Sequence, residues 1–195
     1  MGKRILIVQG HPDPAAGHFA QALQAAYADA AVAAGHELRH INVAELDFPL
    51  LRSKQDFYNG AVPASLLASQ QALEWSEHLL LIYPLWLGSM PALLKAYLEQ
   101  VLRPAFAFAE VSGKGFPHGR LRGRSARVVV TMGMPGLAYR WFYRAHSVKS
   151  VQRNILQFSG FSPVRSSVIG SVESTDAALH QHWLQVMAKL GSKAG

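Results

Sequence analysis

The chain contains no cysteine. Disulfide frameworks, thiolate metal centres and cysteine nucleophiles are therefore excluded by composition alone. Charge is scarce as well: Asp, Glu, Lys and Arg make up 16 % of the 195 residues, while half of the chain is apolar. Intrinsic disorder needs the reverse balance, low hydrophobicity with high charge. A chain of this length and apolar content suffices for one well-buried domain. No window approaches the roughly 20 apolar residues of a membrane-spanning helix. The opening MGKRILIVQGHPD sets a basic pair before an apolar run, but Ile5–Val8 is far shorter than the core of a signal peptide. The expectation is a soluble, cytoplasmic protein with a single domain over residues 1–195.

Several chemical signatures are missing too. There is no G-x-G-x-x-G, no Gly-Lys-Ser/Thr phosphate loop and no G-x-S-x-G elbow. Dinucleotide binding of Rossmann type, P-loop chemistry and a Ser-His-Asp hydrolase are disfavoured accordingly. The net charge of +7 is compatible with nucleic acid or another anion, but no nucleic-acid-binding motif accompanies it. The densest basic stretch holds Lys114, Arg120, Arg122, Arg124 and Arg127. Gly and Pro interrupt it, so it reads as a solvated loop, with phosphate binding as the lesser alternative.

What is present is a regular alternation. Short continuous apolar runs occur at Arg4–Val8, His78–Tyr83 and Arg127–Met132. Such runs suit strands buried on both faces of a parallel sheet. Val164–Val172 is a fourth, with Val164, Val168 and Val172 on one side, and Glu37–Val43 is a weaker fifth. Between them lie helical spacings: Phe19, Leu23, Tyr27 and Ala30, then Leu93 to Leu102, then Leu179 to Leu190. Ala64–Trp75 and Val148–Phe158 complete the set. Ser89 is a candidate N-cap for the helix that Pro104 ends, and Thr175 or Asp176 for the last helix. Pro49–Val62 reads as a connection, and Ala105–Ser125 as a long Gly-rich excursion. The alternation implies a doubly wound α/β sheet with helices on both faces.

In such sheets ligands sit beyond the carboxyl ends of the strands. The segments there are QGHPDPAAGHF, PLWLGSMP and TMGMPGLAY, all rich in Gly and Pro and all carrying an aromatic or histidine residue. The first joins a strand to a helix N-terminus, a natural anion site, and His11 and His18 strengthen that reading. As metal ligands these two lack a partner at suitable spacing other than Asp13. Trp86, flanked by prolines, is balanced between ligand wall and core. Gly133 and Gly136 permit close backbone approach. The aromatic-cationic run Leu137–His146 reads as a half-exposed helix or an interface.

These residues resemble the flavodoxin-like NAD(P)H dehydrogenases, the quinone reductase group, which includes ancillary subunits of glutathione-gated potassium efflux. YPLWLGSMPALLKAYLEQVL, Tyr83–Leu102, is similar to that group's P-L-x-W-x-x-x-P-A-x-L-K block. HPDP after the first strand and TMGMPG after the fourth agree in order and spacing. The resemblance implies a five-stranded parallel sheet of order 2-1-3-4-5, with FMN, or FAD, as cofactor. It implies NAD(P)H as co-substrate, ping-pong hydride transfer to quinone-like acceptors, and a homodimer. It places His11, Gly17, His18 and Phe19 at the flavin phosphate. Pro84, Leu85, Trp86 and Leu87 fall along the isoalloxazine edge, and Thr131, Met132 and Gly133 on its other side. Tyr139 and His146 are the catalytic candidates. The chain departs from the group in three ways. Ala15, Ala16 and Gly17 stand where a phosphate-binding Ser or Thr is usual. Leu87 and Gly88 replace aromatics. The usual His falls on Ala145, beside His146. An electron-carrying flavodoxin is a rival reading, but such chains are typically acidic. A regulatory partner of a potassium efflux transporter is another.

Overall fold

A computed structural model describes residues 2–109, 118–174 and 176–195. Its centre is a five-stranded parallel sheet of β1 (Arg4–Gln9), β2 (Glu37–Asn42), β3 (His78–Pro84), β6 (Ser125–Thr131) and β7 (Val164–Ile169), in the order β2-β1-β3-β6-β7. This is the flavodoxin-like winding, 2-1-3-4-5 when the five core strands alone are counted. A separate antiparallel pair joins β4 (Phe108–Ala109) to β5 (His118–Gly119). It lies within the Ala105–Ser125 excursion, of which Lys114 is outside the described residues.

The continuous apolar runs have a simple cause. All seven residues of β3 are buried, because helices cover both faces. Alternate side chains feed two separate cores. One contains Leu6, Val8, Leu79, Leu81, Val128 and Val130 with α3 (Leu67–Trp75) and α4 (Ala92–Val101). The other contains Ile5, Ile7, Leu80, Ile82, Val129 and Ile169 beneath α1 (Phe19–Ala33) and α7 (Ala177–Gly191). The last two helices approach closely: a Cβ on Gly191 would lie 2.1 Å from the Tyr27 carbonyl oxygen. Asp176 caps α7, accepting from the N–H groups of Ala178 and Leu179. Thr175, the other candidate, lies outside the described residues.

Several expectations are corrected here. The Pro49–Val62 connection contains a helix, α2 (Lys54–Asn59), capped by Ser53. Ser89 does not cap α4. It turns back to exchange two backbone hydrogen bonds of 2.9 Å with Trp86, and Pro91 precedes the helix instead. Val172 lies beyond β7 and packs against the α1–α7 core, whereas Val164 and Val168 belong to the opposite one. The basic stretch is not simply a solvated loop: Arg127 lies buried within β6 and donates to Ser167 Oγ at 2.9 Å. Arg124 donates to the Leu73 and Glu74 carbonyls, and Arg122 to that of Gly119. After β6 come α5 (Gly136–Trp141), α6 (His146–Ser150) and a π-helical stretch, Val151–Gln157.

His78 is a buried titratable group of the sheet, with Nδ1 2.7 Å from Ser125 Oγ. Burial, followed by the positive surroundings of Lys3, Arg127, His36 and Arg165, pushes its pKa down to about 3. The unfolded chain therefore takes up a proton below about pH 6.5 that the folded protein refuses. Stability is then full above that pH and falls as the pH drops toward 3, by about 1.4 kcal/mol per pH unit for this group. His11 and His40, also depressed by burial, act in the same direction. Urea denaturation between pH 7.5 and 5 should show this slope, and His78→Gln should reduce it by about one proton. An unchanged slope in the variant would refute the assignment.

Candidate active site

The three loops converge because the sheet's hydrogen bonding continues past the strand ends. Gly10 N–H donates to the Ile82 carbonyl at 2.7 Å, Leu85 N–H to that of Thr131 at 2.7 Å, and Met132 N–H to that of Ile169 at 2.9 Å. Each loop is thereby pinned to its neighbour as it leaves the sheet. Between them opens a cavity of about 750 Å³, within the range of small-molecule and cofactor sites. Its lining includes His11, Gly17, His18, Phe19, Pro84, Leu85, Trp86, Thr131, Met132 and Gly133. These are all the expected cofactor residues but Leu87, which is fully exposed and turns to a neighbouring cavity. The cause is local: Leu87 has φ 45° and Gly88 φ 77°, so the chain reverses there and swings the Leu87 side chain outward.

Sequence inspection missed Val172, Glu173 and His180 on the same wall. The segment after β7 also leaves a carboxyl end of the sheet, and that position was the one available signal. Nothing in the local pattern marks His180, which α7 delivers, with Nε2 3.2 Å from the Val172 carbonyl oxygen.

At one end of the cavity stands the N-terminus of α1. Gly17, at φ 102°, turns the chain into it. Gln21 Oε1 accepts from the N–H groups of Gly17 and His18. The two histidines stack there, with ring centroids 3.8 Å apart. His18 Nε2 lies 3.0 Å from Asp13 Oδ2. His11 is only 9 % exposed, and its Nδ1 lies 3.1 Å from the Asp13 backbone nitrogen and 3.2 Å from the Asp13 carbonyl oxygen. Burial lowers the His11 pKa, and His18 lowers it further, against the opposing pull of Asp13. A helix N-terminus, one imidazole with a carboxylate beside it and a second, buried imidazole are a chemistry suited to a phosphate-like anion.

On the other side, the backbone N–H groups of Leu85 and Trp86 are committed to Thr131 and Ser89. They are not available to a ligand edge. Leu87 N–H makes no bond among the described residues. A Cβ on Gly133 would lie 3.2 Å from Glu173 Oε1, so the carboxylate closes in on that backbone.

The neighbouring cavity, about 480 Å³, is lined by Leu87, Gly88, Met134, Tyr139, Tyr143, His146 and Ser147. It shares Leu85, Met132 and Gly133 with the first. Both catalytic candidates are therefore brought together, but differently. His146 is exposed at the mouth, whereas Tyr139 is 2 % exposed and its hydroxyl lies 2.6 Å from Ser147 Oγ.

A family described as flavodoxin-like fold matches residues 3–190. An uncharacterized NAD(P)H oxidoreductase of Haemophilus influenzae is 25 % identical over 149 residues, covering 74 % of this chain and 73 % of that protein. Among solved structures, the NAD(P)H:quinone oxidoreductase of Methanothermobacter marburgensis superposes with a TM-score of 0.85 over all of both chains, at 19 % identity. An FMN-dependent NADH-azoreductase of Bacillus anthracis, solved with FMN, superposes with a TM-score of 0.77 over 97 % of this chain and 98 % of that one, at 14 % identity.

The anion site makes a direct prediction. Replacing both His11 and His18 by alanine should weaken binding of a phosphate monoester about tenfold or more, since charge-assisted hydrogen bonds contribute about 1.5–3 kcal/mol each. Calorimetric titration with FMN and with riboflavin, which lacks the phosphate, measures this. The double variant should lose most of the preference for FMN, and an unchanged preference would contradict the site.

Proposed function

Since the chain belongs to the family of flavodoxin-like fold, we propose that it is a flavin-dependent NAD(P)H oxidoreductase acting on quinone-like acceptors. One observation carries this reading: a cavity of cofactor size at the carboxyl rim, with a helix N-terminus and two histidines at one end, that shares part of its wall with a second, tyrosine-lined cavity. The names of the relatives in Haemophilus influenzae, Methanothermobacter marburgensis and Bacillus anthracis support it.

The residues present fit FMN. The first turn of α1, His11 and His18 would hold its phosphate, and Glu173 would accept from hydroxyls on the adjoining chain. Pro84, Leu85 and Trp86 would flank the ring system on one side, with Thr131, Met132 and Gly133 on the other. A flavin bound here supplies two-electron chemistry, accepting hydride from NAD(P)H and returning it to a quinone in ping-pong order.

The protein's contribution is placement and charge. The second cavity seats nicotinamide and acceptor in turn, because its walls are shared with the first at Leu85, Met132 and Gly133. Tyr139 and His146 line it, the first buried against Ser147 and the second exposed. Gly88 leaves its side open: a Cβ there would meet nothing within 4 Å. Leu87 lines this cavity, and Leu137, Trp141 and Phe142, on and just after the helix α5 that carries Tyr139, are exposed too, the last two at 83 % and 82 %. Apolar surface of this kind favours an interface, and a homodimer that covers the second cavity is the assembly proposed.

The purified protein should be yellow, or should bind added FMN with quenching of flavin fluorescence. A colourless protein that fails to quench would overturn the reading. His146→Ala should slow reoxidation by quinones while leaving FMN bound, as measured by stopped-flow absorbance. Light scattering at micromolar concentration should give twice the chain mass of 21.3 kDa. Trp141→Asp with Phe142→Asp should return it to the monomer mass. A monomer without these changes would dismiss the dimer.

A further inference from the structure

Arg144 and Ala145 both have positive φ, 51° and 50°, and reverse the chain between α5 and α6. The reversal brings Ser147 Oγ to 2.6 Å from the Tyr139 hydroxyl. On its other side that hydroxyl faces the Val148 backbone N–H at 3.4 Å. These contacts set a direction. A backbone N–H can only donate, so the Tyr139 oxygen accepts there. Of the two hydroxyls the phenol is the stronger donor and the aliphatic oxygen the better acceptor, so the phenolic hydrogen is placed for Ser147 Oγ. With Ser147 Oγ accepting, its own hydrogen has no other partner among the described residues. Ser147 lines the second cavity and also the groove beside it, next to Trp86 and Leu87. The chain of donors therefore runs from Val148 through Tyr139 to Ser147 and ends in the cavity. Each donor in such a chain polarises the next.

We propose that Ser147 donates the hydrogen bond to the acceptor's oxygen as it becomes negative, and that Tyr139 is the positioning residue behind it. The inference rests on the oxidoreductase reading and deepens it. Converting a quinone to its hydroquinone takes two electrons and two protons. NAD(P)H supplies a hydride, which is both electrons and one proton, and leaves as NAD(P)⁺. Water supplies the second proton. Between these events the acceptor is a hydroquinone monoanion, and Ser147 Oγ–H holds the charged oxygen until it is protonated. The ligand class is thus a ring bearing a carbonyl oxygen that becomes an oxyanion. Ala145 carries no polar group to do this, and His146 stands at the solvent-exposed mouth.

The test uses the full chain loaded with FMN and the variants Ser147→Ala, Ser147→Thr and Tyr139→Phe. Tryptophan fluorescence gives the dissociation constants of two probes, neutral 1,4-naphthoquinone and the anion of 2-hydroxy-1,4-naphthoquinone. Ser147→Ala should weaken the anion about tenfold or more, as expected for a hydrogen bond to a charged group, and change the neutral probe little. Ser147→Thr should restore anion binding. Tyr139→Phe should produce a smaller loss, again confined to the anion. Equal losses for both probes, or none for the anion, would overturn the proposal. In stopped-flow, Ser147→Ala should slow reoxidation of the flavin by quinone more than its reduction by NADH. If NADH does not reduce the wild-type flavin, the oxidoreductase reading falls, while the anion titration still reports on Ser147.

Discussion

A buried parallel sheet must satisfy every backbone N–H and carbonyl, and in this protein that requirement extends past the ends of the strands. Gly10, Leu85 and Met132 each donate across to the next strand just where their own strands stop. The donors after β1, β3 and β6 cannot be left orphaned in an apolar interior, so the loops that follow begin from fixed positions. The cavity, its two walls and its shared boundary with the second cavity all depend on this. A loop freed of its cross-strand bond would lose both an interior hydrogen bond and its place at the rim.

Charge is handled economically around this frame. The arginines at 122 and 124 are spent on backbone carbonyls, and Arg127 on Ser167 within the sheet. At the site the arrangement is local: His11 is held neutral by burial, while Asp13 backs His18. An anion bound there would meet a helix end and two imidazoles, with no arginine or lysine among the described residues of the cavity wall.

Much of the fold was legible because two-sided burial writes itself into a strand as an uninterrupted apolar run. His78–Tyr83 and Arg127–Met132 differ from the observed strands only at their ends. The weaker Glu37–Val43 run was legible for the opposite reason: β2 is an edge strand, half exposed and partly polar. The helix in Pro49–Val62 escaped notice because it is short and buries nothing, leaving no periodic apolar stripe. Ser89 fits a capping pattern, but the capping role was lost to a backbone turn with Trp86. Position along the chain could not tell these apart, since both place a polar residue just before a helix.

The site divides in the same way. By itself the sequence determined which segments meet, since apolar runs dictate the strands and strand order dictates whose carboxyl ends are neighbours. It also determined that the meeting place would be rich in glycine, proline and aromatic side chains, without a thiol. Only the tertiary structure decided direction. It turned Leu87 outward through a positive φ, drew Glu173 and His180 in from the far end of the chain, and pointed the Tyr139 hydroxyl at Ser147. Each of these depends on where a backbone reverses or where a distant helix docks. Residue type and spacing are blind to both, because the forces that set them act between segments far apart in sequence.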